Sequence, residues 1–106
     1  MTGAKALPQG YLVAHLRAKD HADYIQRYGT NVVPVLEKYQ GKILVASPSA
    51  KVEEGVSDEN WTVIIQFPSL QLAEEFYRSP TYAPLKKLRT DDLTTSGTVI
   101  LVEGFD

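Results

Sequence analysis

Residues 61–89 read WTVIIQFPSLQLAEEFYRSPTYAPLKKLR, and this stretch decides the fold. Its first seven residues are apolar except for Thr62 and Gln66, which is typical of a buried strand. Pro68 and Ser69 end that run. The apolar residues that follow recur at helical spacing: Leu70, Ala73, Phe76 and Tyr77. A strand that leads directly into an amphipathic helix indicates a sheet covered by helices on one side.

The composition is that of an ordinary globular domain and excludes several classes of function. The 106 residues are 43% hydrophobic and 23% charged, with a net charge of −2. Because there is no basic block, we expect no nucleic-acid partner. No apolar run reaches the roughly 20 residues that span a membrane, and no cysteine is present for a disulfide, a thiolate nucleophile or a zinc site. We therefore expect a cytoplasmic protein that does not contact membranes.

The chain length predicts one domain with one modest core. Residues 1–9 are expected to form a flexible N-terminal arm that ends at Pro8. Residues 10–106 are then expected to form a single folded unit.

Four strands and two main helical regions are predicted along residues 10–106. The strands are expected at 11–18, 43–47, 61–67 and 98–103, and the second of them has room to continue past Pro48. The first helix is expected to start after the N-cap Asp20 and to stop at Gly41, with a kink or break between Gly29 and Pro34. The second is expected to run from the cap Ser69 to about Arg78, followed by a helical piece with an irregular first turn at 82–88 and a polar loop at 91–97. The resulting order is βαββαβ.

The third strand is apolar at nearly every position and the fourth is apolar on both faces, which has a consequence for assembly. Val99 and Leu101 share one face of the last strand, and Ile100 and Val102 share the other. Two helices cover only one face of a four-stranded sheet, and strands that are apolar on both faces are normally buried on both. A second copy of the same sheet is the simplest cover, so we predict a homodimer that packs sheet against sheet.

Several motifs resemble the DUF1330 family over roughly residues 10–104. The most specific is VIIQFPS at 63–69, followed by FYRSPTY at 76–82 and by Leu88-Arg89. KYQG at 38–41 and VEG at 102–104 also fit this family. The family usually has Glu at the position of Gln66, so carboxylate chemistry is not implied there.

This resemblance implies a ferredoxin-like α+β fold of the dimeric α+β barrel type, with a four-stranded antiparallel sheet and two helices on one face. It implies no reaction, since the family itself has no known function. Related dimeric barrels include cofactor-independent enzymes, but fold alone does not transfer an activity.

His15 is the first candidate for chemistry, because it lies on the mixed face of the first strand. In the implied topology strands one and three are adjacent, which would make His15 and Gln66 neighbours facing the barrel. An imidazole beside an amide serves as a general base or holds a substrate carbonyl. The alternative is a polar pair that only bridges two subunits.

Four tyrosines and one arginine form a second set of candidates. The tyrosines could line a ligand pocket between helices and sheet and orient the ligand through their hydroxyls, or simply pack: Tyr24, Tyr28, Tyr77 and Tyr82. Arg89 could act on a substrate by binding its carboxylate through two hydrogen bonds. Alternatively, it could pair with Asp91, Asp92 or a helix-end carbonyl.

No cofactor or metal site is expected. His15 and His21 lie on different predicted elements and do not have the spacing of a helical metal pair, and no glycine-rich phosphate loop occurs. Two hypotheses of function remain. The first is a small cofactor-independent enzyme or a binding protein for a small organic molecule; the second is a non-catalytic dimerisation module without a ligand site.

Overall fold

A four-stranded antiparallel sheet with helices on one face is seen in the computed structural model, which describes residues 8–105. The strands are β1 (Gly10–Ala18), β2 (Lys42–Ser47), β3 (Trp61–Phe67) and β4 (Thr94–Glu103). Their order across the sheet is β2-β3-β1-β4, with all three pairings antiparallel. The predicted βαββαβ order and the ferredoxin-like α+β class are confirmed. The predicted arm at 1–9 falls mostly on residues 1–7, which lie outside the described residues.

The helices form two stretches, each of which contains a π-helical turn. The first stretch comprises α1 (His21–Tyr24), the turn π1 (Ile25–Gly29) and α2 (Thr30–Lys38). The second comprises α3 (Leu70–Tyr77), α4 (Ala83–Leu88) and the turn π2 (Arg89–Leu93). None of the helices within residues 8–105 has the length and apolarity needed to cross a membrane.

The first helical stretch begins where the sequence predicts. The carboxylate of Asp20 accepts a hydrogen bond from the backbone N–H of Asp23 at 2.9 Å, as an N-cap does. The irregularity, however, lies upstream of its predicted place: π1 ends at Gly29, and α2 continues through Pro34 without a break. Pro34 is the fifth residue of α2, so the hydrogen bond it cannot make is the one to the carbonyl of Thr30 at the start of that helix.

The first helical stretch ends in a Schellman motif that uses a glutamine instead of the predicted glycine. Gln40 has a φ of +62°, and the N–H of Gly41 donates to the carbonyl of Leu36 at 2.8 Å. Gly41 is required for a different reason, since a Cβ there would lie 2.9 Å from the ring of Phe67. The glycine therefore serves close packing of the helix end on β3.

The second helical stretch is fixed by two serines. Ser69 caps α3 by accepting a hydrogen bond from the N–H of Leu72 at 3.2 Å, as predicted. The buried hydroxyl of Ser79 donates to the carbonyl of Phe76 at 2.9 Å and accepts from the N–H of Tyr82 at 3.1 Å. Ser79 therefore holds the turn between α3 and α4 in place.

The last strand is longer than predicted, and the second strand does not have the extension past Pro48 that the sequence allowed. The polar segment 91–97 is not a loop: its first part belongs to π2, and β4 begins at Thr94, which pairs with Ala18 across a bulge. Its polar residues are compatible with a strand because the ladder is made by the backbone. Strand β2 ends at Ser47 and does not continue past Pro48.

The two faces of the sheet differ in character. On the helix-covered face lie the buried residues of β1 and β3, which form most of the core with residues from the helices. On the opposite face, a row of apolar side chains crosses all four strands: Val45, Ile64, Val13 and Ile100. Polar residues form most of the flanking rows, one centred on Gln66 and Tyr11 and the other on Thr62 and His15. We call this opposite side the outer face.

Candidate functional site

A cavity of about 340 Å³ lies between the helices and the covered face of the sheet. Its floor is made of alternating residues of β1 and β3, including Leu12, Ala14 and Ile65, and its walls come from the first helical stretch and from the start of α4. Most of the lining is aliphatic or aromatic. A carbon-rich molecule of small size fits such a space by burial of its apolar surface.

Polar groups reach the cavity from both helical stretches. Tyr28 in π1 and Tyr82 at the N-terminus of α4 both line it, and their hydroxyl oxygens lie 2.6 Å apart. Their rings pack edge to face with centroids 6.3 Å apart. One hydroxyl proton lies between the two oxygens, so the pair keeps one further donor for another acceptor.

Arg89 is the charged residue among those that line the cavity. It lies at the start of π2, lines the cavity and is only 5% exposed. Its Nη2 donates a long hydrogen bond of 3.3 Å to the hydroxyl of Tyr77. The same side chain also borders a smaller polar cavity of about 160 Å³ beside Thr94 and Gly97.

The two aspartates that follow Arg89 in sequence do not neutralise it. Asp91 pairs with Lys87 at 2.8 Å, and Asp92 pairs with Arg27 at 2.7 Å. Both ion pairs lie at the exposed surface, whereas the Arg89 side chain turns inward. The predicted alternative, in which Arg89 pairs with one of these aspartates, is therefore wrong.

The ionisation of the cluster follows from its burial. Burial raises the pKa of Tyr24 and of Tyr28 well above the usual tyrosine value, so both hydroxyls stay neutral. Burial disfavours a charged Arg89, but its interactions with Tyr82 and Tyr28 outweigh that effect and raise its pKa. At neutral pH the cluster therefore carries one positive charge and hydroxyl donors.

Trp61 is a lining residue that the candidates inferred from sequence did not include. It is 8% exposed, and its indole N–H has no hydrogen-bond partner within residues 8–105. Its ring packs 5.8 Å from that of Tyr24, centroid to centroid. The sequence signal that could have identified it is that the single tryptophan of the chain stands at the start of a buried strand.

The predicted site residues are thereby divided between two places. Tyr24, Tyr28, Tyr82 and Arg89 meet at the cavity. Tyr77 lies behind them: its ring packs 5.7 Å from that of Tyr82, and its hydroxyl accepts from Arg89.

His15 and Gln66 lie on the outer face and are not neighbours, contrary to the expectation. His15 is opposite Thr62 in the β1–β3 ladder, with Nδ1 3.2 Å from the threonine hydroxyl. Gln66 is opposite Tyr11 and donates to its hydroxyl at 3.2 Å. The strands are adjacent as predicted, but the antiparallel register separates the two residues along them. Within residues 8–105, no cluster of His, Asp and Glu side chains could hold a metal ion.

Solved structures share this fold at low sequence identity. A protein of unknown function from Rhodopseudomonas palustris is 20% identical, with a TM-score of 0.71 over 93% of this chain and 84% of that one. A dimeric protein of unknown function with a ferredoxin-like fold from Bacteroides fragilis is 11% identical, with a TM-score of 0.59 over 90% and 95%. A candidate antibiotic biosynthesis monooxygenase from Caulobacter crescentus is 13% identical, with a TM-score of 0.64 over 95% and 93%.

No curated protein matches the sequence at a significant level. The family comparison is decisive, because the sequence profile of DUF1330, described as a domain of unknown function, matches residues 9–105. That span contains every strand and helix described above and the whole cavity. The chain therefore belongs to the DUF1330 family.

Proposed function

We propose that the protein binds a small, carbon-rich organic molecule in the cavity between its helices and its sheet. The observation that carries this proposal is the cavity itself, which has about 340 Å³ of space and an apolar lining. Cavities of this size and lining, with a few polar groups at one side, are typical of small-molecule sites. The competing hypothesis, a dimerisation module without a ligand site, predicts instead an interior filled by side chains.

Binding is better supported than proton abstraction. Among the described residues that line the cavity there is no carboxylate and no imidazole, and Arg89 is their one charged member. Tyrosines with a raised pKa are poor bases at neutral pH. The hydroxyls and the guanidinium orient a ligand or polarise its oxygen.

We also propose a homodimer that covers the outer face, as the sequence predicts. Ile100 and Val102 on that face are 49% and 43% exposed, and the apolar row of Val45, Ile64, Val13 and Ile100 is continuous. In this dimer His15 and Gln66 have the second of their predicted roles, which is to fix the register of the two sheets through polar contacts. The cytoplasmic location stays a prediction from composition.

The binding proposal is tested by thermal-shift screening of small carbonyl, quinone and phenolic compounds, followed by calorimetric titration of the compounds that stabilise the protein. The diagnostic variant is Ala14→Leu, which places extra carbons at the cavity floor while keeping every polar group. Ala14 is 3% exposed and lines the cavity. We expect at least a tenfold loss of affinity.

Ala83→Leu is the matched control, because Ala83 is exposed on α4 and does not line the cavity. It makes the same substitution and should leave affinity unchanged. His15→Ala should also leave it unchanged, since His15 lies on the outer face. Failure of every compound to bind, or equal binding by wild type and Ala14→Leu, would overturn the proposal and favour the dimerisation module.

A further inference from the structure

The chemical class of the ligand follows from the charge at the cavity, on the premise that the cavity binds a small molecule. Arg89 is 5% exposed, and within residues 8–105 its side chain donates a hydrogen bond to the hydroxyl of Tyr77 and pairs with no carboxylate. A buried charge without a counter-charge is costly, and proteins normally pair such a group. Among the described residues, Arg89 is thus a cation without a paired anion.

Neighbouring residues do not supply that anion. The carboxylates nearest in sequence, Asp91 and Asp92, are held at the surface by Lys87 and Arg27. Groups that surround Arg89 on the other elements are tyrosines, namely Tyr77 on α3, Tyr82 before α4 and Tyr28 in π1. All three are hydroxyl donors or acceptors, so the positive charge stays uncompensated by the cavity wall.

The hydroxyls of Tyr28 and Tyr82 add a hydrogen-bond donor at the cavity that Arg89 also lines. One of the two hydroxyls donates to the other across 2.6 Å, and the accepting hydroxyl keeps its own proton for an outside acceptor. A guanidinium presents its N–H groups in a planar fork that suits two oxygens of one anion. Together they form a site rich in donors and carrying one positive charge, beside a space that is otherwise apolar.

We infer that the ligand is an organic monoanion: a carboxylate, enolate or phenolate on an aromatic or alicyclic body. Its charged oxygen lies against Arg89 and the Tyr28–Tyr82 pair, and its carbon skeleton fills the apolar space over β1 and β3. A neutral molecule of the same shape would leave the guanidinium unpaired. The site therefore selects the ionised form of a weak acid.

That selectivity is measurable on the ligand itself, with wild-type protein. The probe is 4-nitrophenol, whose ionised form is yellow, held at a pH slightly below its own pKa. If the cavity prefers the phenolate by about tenfold, the pKa of the bound probe falls by about one unit, and protein addition deepens the yellow colour. A second measurement compares cinnamate with cinnamamide by calorimetry, where we expect at least tenfold tighter binding of the carboxylate.

Variants assign the effect to Arg89. Arg89→Met should abolish the colour change and the preference for cinnamate, and Arg89→Lys should weaken both while keeping their direction. Lys86→Met is the matched control, because it removes one positive charge from α4, where Lys86 contacts the ring of Tyr77 from outside the cavity. It should preserve both effects. Tyr77→Phe should also preserve them, since it frees Arg89 from its present partner.

The outcomes separate the two proposals. Cinnamamide binding as tightly as cinnamate, with no colour change on 4-nitrophenol binding, would overturn the anion inference and leave a neutral-ligand site. Loss of both effects in Lys86→Met as in Arg89→Met would also overturn it, since a general surface charge would then be responsible. If neither these probes nor any compound of the wider panel binds, both proposals fail.

Discussion

The hydroxyl oxygens of Tyr28 and Tyr82 lie 2.6 Å apart, although the residues are 54 positions apart in the chain. This contact joins π1 to the start of α4 and so connects the two helical stretches. Both π-helical turns contribute to that cluster, because Tyr28 lies in π1 and Arg89 begins π2. Such turns often occur at functional sites, where the widened turn changes the direction of a side chain.

Removal of either hydroxyl should destabilise the protein, and the two effects should not add. Tyr82→Phe leaves the Tyr28 hydroxyl without this partner, so we expect the free energy of unfolding to fall by about 1–2 kcal/mol. Urea unfolding of Tyr28→Phe, Tyr82→Phe and the double variant measures the coupling. The double variant should lose clearly less than the sum of the single losses. Simple additivity would show that the short contact contributes nothing to stability.

Two glycine substitutions should change stability in opposite directions. A Cβ on Gly10 would lie 2.5 Å from the backbone of Leu70, so Gly10→Ala should cost about 1–3 kcal/mol by forcing β1 and α3 apart. Gly29 has helical φ and ψ of −57° and −47°, and an added Cβ would meet its nearest neighbour at 3.8 Å. Gly29→Ala should therefore stabilise the protein by about 0.5–1 kcal/mol. Denaturant unfolding of both variants checks this, and a stable Gly10→Ala variant would contradict the close packing at this position.

Stability should fall in alkaline solution. Burial raises the pKa of Tyr24 above its ordinary value of about 10, so the folded protein keeps a proton that the unfolded chain loses. This contribution is fully present below pH about 10 and is lost as the pH rises above that value, at up to about 1.4 kcal/mol per pH unit for each such tyrosine. Unfolding measured from pH 8 to about 11 should show a shallower decline in Tyr24→Phe than in wild type. Identical profiles would mean that Tyr24 ionises equally well in both states.

A charge on the outer face should separate the proposed dimer. Ile100 lies in the apolar row of that face, so Ile100→Lys places an ammonium between the two sheets, where its desolvation is costly. Sedimentation should then show a monomer, while wild type sediments as a dimer. Val56→Lys is the control, because Val56 is fully exposed in the loop before β3 and should have no effect. A monomeric wild type would refute the sheet-to-sheet assembly.

The local sequence was informative wherever a backbone or a side chain acts on its immediate neighbours. Asp20 and Ser69 cap helices as their positions indicate, because a cap bonds to a backbone only two or three residues away. Alternation in β1 likewise predicts that Leu12, Ala14 and Leu16 share one face, and these residues are buried in the core. The Schellman end at Gln40 was missed, since a non-glycine residue rarely adopts a positive φ and gives no compositional signal.

The sequence by itself determined the element order, the apolar residues on both faces of the last strand and the family. Only the tertiary structure decided which polar residues meet: Tyr28 with Tyr82, Arg89 with Tyr77, and His15 with Thr62 on the other side. The reason is physical. Periodicity assigns each residue to a face of its own element, whereas a contact across the core depends on strand register and on π-helical turns, which hydrophobic spacing does not encode.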